Sequence, residues 1–203
     1  VARSLWDRDS PIAHLDIEHV HFDAPWEPLL YPKRSLFVQR DVVAAIEALL
    51  AEFGITALHL LTGRGHHFVW KVNRKSAAFA ALVRLAHLGE GLRTAYSAPQ
   101  PPRGEAVGEA AGAAWDGLGR VMEWVGHRIL AASARTPVPV QITAVVVGPG
   151  AHGREIVAVD LSEYADPLHK RAVRIPFTAY LKAQCQGWIP PPPAKLPLLV
   201  AIP

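Results

Sequence analysis

From residue 12 to residue 23 apolar and polar positions alternate, with Leu15 and Ile17 on one side of an extended chain and Asp16 and Glu18 on the other. That period of two predicts a strand with one buried face. In RDVVAAIEALLAEFG the apolar residues Val42, Val43, Ile46, Leu49, Leu50 and Phe53 recur at helical spacing and stop at Gly54, which predicts an amphipathic helix. TALHLLTG and HFVWKV read as two strands joined by a GRG turn. Ser76 is a suitable N-cap for a helix through AAFAALVRLAHL, and the prolines of APQPPRG interrupt the helical pattern between Pro99 and Pro102. Residues 105–134 are rich in Ala and Gly and put Val107, Leu118, Val121, Met122, Val125 and Ile129 on a looser helical face. PVPVQITAVVVG and REIVAVDL read as strands on either side of the turn GPGAHG, and RIPFTAYLKAQ starts extended and ends in a short helix. The tail GWIPPPPAKLPLLVAIP is polyproline-like and then apolar. Its apolar end predicts docking on the domain or on a partner.

Strand, helix, hairpin, helical block and two further strands predict an α/β sandwich, of α+β type, with a helical insertion at about residues 75–135. Composition agrees with a folded protein: of 203 residues half are apolar and 19% charged. No apolar run approaches the length needed to span a bilayer, and VARSLWDRDSP has no secretory apolar core. The single cysteine, Cys185, excludes an intramolecular disulfide and a Cys-only zinc site. A soluble, cytoplasmic protein without membrane contact is the expectation. The net charge of +3 permits a polyanionic partner without requiring one. Its distribution says more, because Arg154, His169, Lys170, Arg171, Arg174 and Lys182 fall in one segment. That segment reads either as a polyanion contact or as a solvated surface run.

Asp16 and Glu18 project from the same face of their strand, roughly 6–7 Å apart along it. Burying an unpaired carboxylate is costly, so such acids bind metal, pair with Arg or Lys, or face a wet cleft. In TGRGHHF, two glycines let the backbone approach a ligand closely. The amides and Arg64 offer donors to phosphate oxygens, and a histidine can donate as well. The same residues equally suit a tight hairpin whose glycines serve only positive φ. Asp160 ends the apolar run REIVAVD. It reads as a cap, or, if the fold brings it beside Asp16 and Glu18, as the third carboxylate of a two-metal phosphoryl-transfer site. Arg174 and Lys182 are spaced to reach a triphosphate or a template backbone. His14, His19, His21, His66 and His67 invite a zinc reading, against which some of these rings simply line a polar cleft.

In this order the segments resemble the archaeo-eukaryotic primase superfamily, which includes the primase-polymerases. That family shows an acidic pair, then a Ser-Gly-x-Gly-x-His-like strand-turn-strand, then a single Asp after a helical insertion. Here Asp16-x-Glu18, then Thr62-Gly63-Arg64-Gly65-His66-His67, then Asp160 look similar, with His67 at the family's histidine position and Thr62 in place of Ser. Arg174-Ile175-Pro176 and Lys182 are similar to a later Arg-x-Pro segment ending in Lys, although Tyr180 stands where a histidine is common. The resemblance covers about residues 12–183. It implies an RRM-like primase catalytic sheet in a domain of residues 1–183, followed by a Pro-rich tail over 184–203. By similarity, Asp16, Glu18 and Asp160 would be catalytic and hold Mg²⁺ or Mn²⁺. Thr62, Gly63, Arg64, Gly65, His67, Arg174 and Lys182 would bind nucleotide or template. The implied reaction is attack of a 3′-hydroxyl on the α-phosphate of an NTP or dNTP, on a single-stranded DNA template with or without a primer. A helicase or other replication protein is a possible partner. The sequence holds no Cys/His zinc module of the kind some relatives have.

Two rivals stand beside this. In a His-hydrophobic-His nicking endonuclease, His19 and His21 would bind one metal and Tyr180, followed by Lys182, would attack DNA covalently. A catalytically inactive relative would bind single strands or nucleotides without turnover. The first rival is separated by which side chains converge, Asp16/Glu18/Asp160 or His19/His21/Tyr180, and the second by metal-dependent incorporation.

Overall fold

The computed structural model describes residues 5, 7–99, 104–143, 154–165, 168 and 200–202. Among them the chain order is β1 (Ile12–His21), α1 (Glu27–Leu30), α2 (Pro32–Glu52), β2 (Leu58–Leu61), β3 (Gly65–Lys71), α3 (Ala77–Leu85), α4 (Glu90–Ser97), α5 (Glu109–Ala132), β4 (Val140–Thr143), β5 (Glu155–Asp160), α6 (Ser162–Ala165) and β6 (Val200–Ile202). This is a mixed α/β protein with one six-stranded sheet in the order β4-β5-β1-β3-β2-β6. β1 pairs antiparallel with both β3 and β5, and β2 pairs antiparallel with β3 and β6. β4 runs parallel to β5, which a two-strand hairpin cannot give; the GPGAHG turn lies outside the described residues. The apolar end of the tail docks on the domain, with Ile202 opposite His59 at the sheet edge.

The alternation in β1 builds the molecule. Ala13, Leu15 and Ile17 are fully buried on one face, under helices α2 and α5. Val42 and Ile46 of α2 and Trp115, Met122 and Ile129 of α5 join them in a single core. The helical block at 75–135 therefore shares its core with the sheet. Two close approaches let it do so: a Cβ on Gly117 would lie 2.0 Å from the Leu82 carbonyl oxygen, and one on Gly112 would lie 2.2 Å from the Tyr96 ring. The predicted helix after Ser76 is shorter than its pattern, ending at Leu85 with a separate α4 behind it. Ser76 caps it as expected, its Oγ accepting from Phe79 N at 3.2 Å.

Helix α2 begins at Pro32, two turns before the apolar stripe starts. Proline suits a first helical position. The early turns carry a mixed inward face: Val38 joins the core, while Ser35 and Gln39 are buried and both donate to the Arg64 carbonyl.

At the start of β5 the Glu155 carboxylate accepts both Arg34 guanidinium nitrogens, at 2.7 and 2.6 Å, and His19 Nε2 at 2.9 Å. Arg34 above all, and His19 after it, hold the Glu155 carboxyl down at about 2 against the opposing effect of burial. A carboxyl depressed in the fold stabilises it above the unfolded value of about 4.5, and that stability is lost as pH falls toward 2. Glu155→Gln turns an amide toward two donors. We expect it to lower Tm at pH 7 by roughly 3–8 °C, with the gap to wild type closing below about pH 3. Thermal melts across that pH range measure both.

Candidate active site

β1 is the central strand of the acid face. Its Asp16 stands opposite His67 of β3 on one side and opposite Asp160 of β5 on the other, and side chains at paired positions project to the same face. His19 N donates to Arg64 O, which puts Asp16 and His67 at a non-hydrogen-bonded pair, where side chains come closest. His67 Nε2 lies 3.2 Å from Asp16 Oδ1. That contact is out of line for a hydrogen bond, and Asp16 Oδ1 is buried with none among the described residues. The strand order thus joins Asp16 and Asp160, residues far apart in sequence that the resemblance pairs.

The two carboxyls are driven in opposite directions. Burial would raise Asp16, but His67, with His14 and Arg64 behind it, holds it at about 2. Asp160 is raised: burial comes first, Ser162 pulls the other way, and the charges of Asp16 and Glu18 add to the rise. Two carboxyls pushed apart by environment, one of them raised in part by the charge of the other, are what a bound cation relieves. For an acid raised in the fold, the ionised form at pH 7 destabilises. Asp160→Asn keeps an Oδ1 to accept from Ser162 N, a bond of 2.8 Å in the wild type, and removes the charge. Its Tm in EDTA is expected to rise. An unchanged or lower Tm by calorimetry would deny the repulsion.

Glu18 and the glycine loop are arranged differently from the expectation. Arg64, 5% exposed, is bonded to Glu18 Oε2 through its NH2 group. The cation assigned to triphosphate and the carboxylate assigned to metal neutralise each other in this state. Thr62 Oγ1 accepts from Gly65 N at 3.0 Å and Arg64 N at 3.4 Å, so two amides offered to phosphate are already engaged. Gly65 has a structural reason to be glycine: a Cβ there would lie 1.7 Å from Ile17 O and 2.9 Å from Gln39 Oε1. Positive φ is not that reason, since among the described residues the glycines with positive φ are Gly54, Gly104 and Gly108.

The adjacent histidines separate. His67 faces the acids, whereas His66 falls on the helix side opposite Ile17, with its Nδ1 2.9 Å from His59 Nε2. Burial first, then His59 and His67, push His66 down to about 4, so it is neutral at physiological pH. His19 and His21 also point away from Asp16 and Glu18. Among the described residues, the group of metal-ligating side chains whose ligand atoms lie within 4.8 Å of one another is His21, Glu27 and Glu155; Asp16, Glu18 and Asp160 are not drawn together so closely. The His21 cluster is already satisfied internally. Ala24 N donates to His21 Nδ1, which in a neutral ring leaves the hydrogen on Nε2, 3.1 Å from Glu27, and Arg34 pairs with both glutamates. Arg174, Lys182 and Tyr180 lie outside the described residues.

One pair on the acid face had no sequence signal as a unit. His14, two residues before Asp16, places Nδ1 2.7 Å from Glu163 Oε2 of α6, with both side chains buried. Tyr164 OH bonds the His14 backbone at both its carbonyl and its amide. The His14 and His67 rings meet edge to face at 4.6 Å. With His14 and Glu163 149 positions apart in sequence, only the fold joins them.

No family model, curated protein or solved structure matches the chain. Among the described residues no helix is long and apolar enough to cross a membrane.

Proposed function

We propose that the acid face is the active site of a metal-dependent nucleotidyltransferase of the archaeo-eukaryotic primase type, a DNA primase or template-dependent polymerase. The observation that supports it is Asp16 directly opposite Asp160 across β1 and β5, on the face away from α2 and α5. The inner strands β5-β1-β3-β2, with helices following β1 and β3, follow the split-βαβ order, which is the order of an RRM-like sheet.

On this reading Asp16 and Asp160 would hold Mg²⁺ or Mn²⁺, and Glu18 would join them once Arg64 releases it. The ions would supply activation of the 3′-hydroxyl and charge neutralisation on the leaving pyrophosphate. The chain's own residues do the rest. His67 keeps Asp16 ionised and orients it. Arg64 exchanges the Glu18 carboxylate for a triphosphate oxygen, a swap of one charge-assisted bond for another. The Thr62 turn and the bonds from Ser35 and Gln39 keep the Arg64 backbone fixed while its side chain moves. The 3′ oxygen bonds to the α-phosphorus, the bond to pyrophosphate breaks, and catalysis consists of positioning and charge compensation. Arg174 and Lys182 are proposed for phosphate or template, and a single-stranded template, primer and NTP or dNTP are the proposed partners.

Incorporation of labelled nucleotides on a single-stranded template in Mn²⁺ or Mg²⁺, with and without primer, tests the proposal. Metal-dependent products are expected. Template cleavage with a covalent adduct lost in Tyr180→Phe would instead identify a nicking endonuclease. One observation favours a second reading: with Glu18 held by Arg64, the face could bind nucleotide without turnover. Nucleotide binding with no incorporation in either metal would establish that alternative.

A further inference from the structure

His14 has a bare nitrogen. Its Nδ1 is engaged by Glu163 Oε2 at 2.7 Å, which leaves Nε2 as the ring's other ligating atom, and Nε2 is buried with no hydrogen bond among the described residues. The residue is 5% exposed. Asp16, its neighbour on the same face of β1, likewise has a buried Oδ1 without a hydrogen bond. An unsatisfied buried polar atom costs on the order of 1–3 kcal/mol, and such atoms in folded proteins call for a partner. The two atoms belong to neighbouring side chains of one strand face, and a cation is a partner that an imidazole nitrogen and a carboxylate oxygen can share. A carboxylate that fixes the far nitrogen of a histidine is also the usual support for a metal-ligating imidazole.

We infer that His14, held by Glu163, supplies a nitrogen ligand to the divalent cation bound by Asp16, so that the acid face favours a transition-metal ion over Mg²⁺. Imidazole is a ligand for transition metals, whereas Mg²⁺ is served by carboxylate, carbonyl and water oxygens. Glu163 is a positioning residue: it sets which His14 nitrogen is bare and where the ring points. The inference rests on the acid face being a cation site, and the measurement is chosen to separate the two.

Mn²⁺ is added to the full chain, and its binding and spin-echo spectrum are recorded by electron paramagnetic resonance. Nitrogen modulation is expected in the wild type, retained in His67→Ala and lost in His14→Gln. Mn²⁺ affinity is expected to fall about tenfold or more in His14→Gln and about 10–100-fold in Glu163→Gln, with weak Mg²⁺ binding by calorimetry unchanged in both. Glu163→Gln, which leaves the His14 ring in place, stands in if His14→Gln does not fold. Wild-type Mn²⁺ without nitrogen modulation overturns the inference, as does modulation that survives in His14→Gln. If that modulation-free Mn²⁺ is lost in Asp16→Asn, the nucleotidyltransferase reading stands and the His14 ligand alone falls. If Mn²⁺ does not bind at all, both fall. A purely structural tie between β1 and α6 would lower Tm in Glu163→Gln and leave Mn²⁺ affinity where it was, which also overturns the inference.

Discussion

If the acid face is the proposed nucleotidyltransferase site, Asp16→Asn is expected to lose nucleotide incorporation by roughly 10³-fold or more while the protein stays folded. The size follows from its position. Asp16 lies between β3 and β5 on the middle strand, opposite both His67 and Asp160, so any cation shared by the acid face has it as the central ligand. Loss of a ligand removes several kcal/mol of charge stabilisation in the transition state, and each 1.36 kcal/mol is about tenfold in rate. Asparagine is nearly isosteric, so the strand keeps its packing. Asp16 and Asp160 should differ in stability even though both lose activity. Asp16 is ionised favourably in the fold, held by His67, and its amide variant should melt slightly lower. Asp160 is ionised unfavourably, and its amide variant should melt higher. Steady-state incorporation together with calorimetry on the two variants reads both effects. A structural pair of acids would give the stability signs without the loss of activity.

Gly65→Ala is the second large effect, and it concerns folding. A Cβ at Gly65 meets a backbone oxygen, Ile17 O, at 1.7 Å, and backbone cannot yield as a flexible side chain does. β1 and β3 would have to separate at the register that sets Asp16 opposite His67 and Glu18 opposite Gly65. Overpacking costs about 1–3 kcal/mol and more where, as here, backbone must move, against a total stability of about 5–15 kcal/mol for a domain. Chemical denaturation should show a midpoint shifted far down, or no cooperative transition. Near wild-type stability, with only nucleotide binding impaired, would return this glycine to the phosphate-binding role its motif suggests. Gly54→Ala is a useful contrast, because that residue has a φ of 62° and open space around it. It should cost only the backbone strain, about 1 kcal/mol.

The strands were readable because their signal is local. Leu15 and Ile17 against Asp16 and Glu18 declare two faces within four residues, and the faces fall where that alternation puts them. The hairpin at 58–71 and the Ser76 cap were readable for the same reason. Beyond that, order along the chain suggested that Asp16 and Asp160 belong together, but the pairing itself is a matter of register between strands. Register also decides that Arg64 reaches Glu18, an outcome not contained in TGRGHHF, whereas His66 and His67 part to opposite faces because successive strand residues alternate. The first turns of α2 gave only a broken apolar stripe because Ser35 and Gln39 point inward to a carbonyl beside Val38. Helix α4 was hidden for a similar reason: of its residues only Tyr96 is buried. Glu163 carries no motif and becomes visible only where α6 lies against β1.

The measurement that bears most directly on the acid face as a catalytic centre is incorporation of labelled nucleotide on a primed single-stranded template, run in Mn²⁺ and in EDTA for wild type, Asp16→Asn and Asp160→Asn. Products from the wild type in Mn²⁺ alone, absent from both folded variants, are the predicted result. Wild-type silence in every metal, or synthesis that survives in either variant, would contradict it.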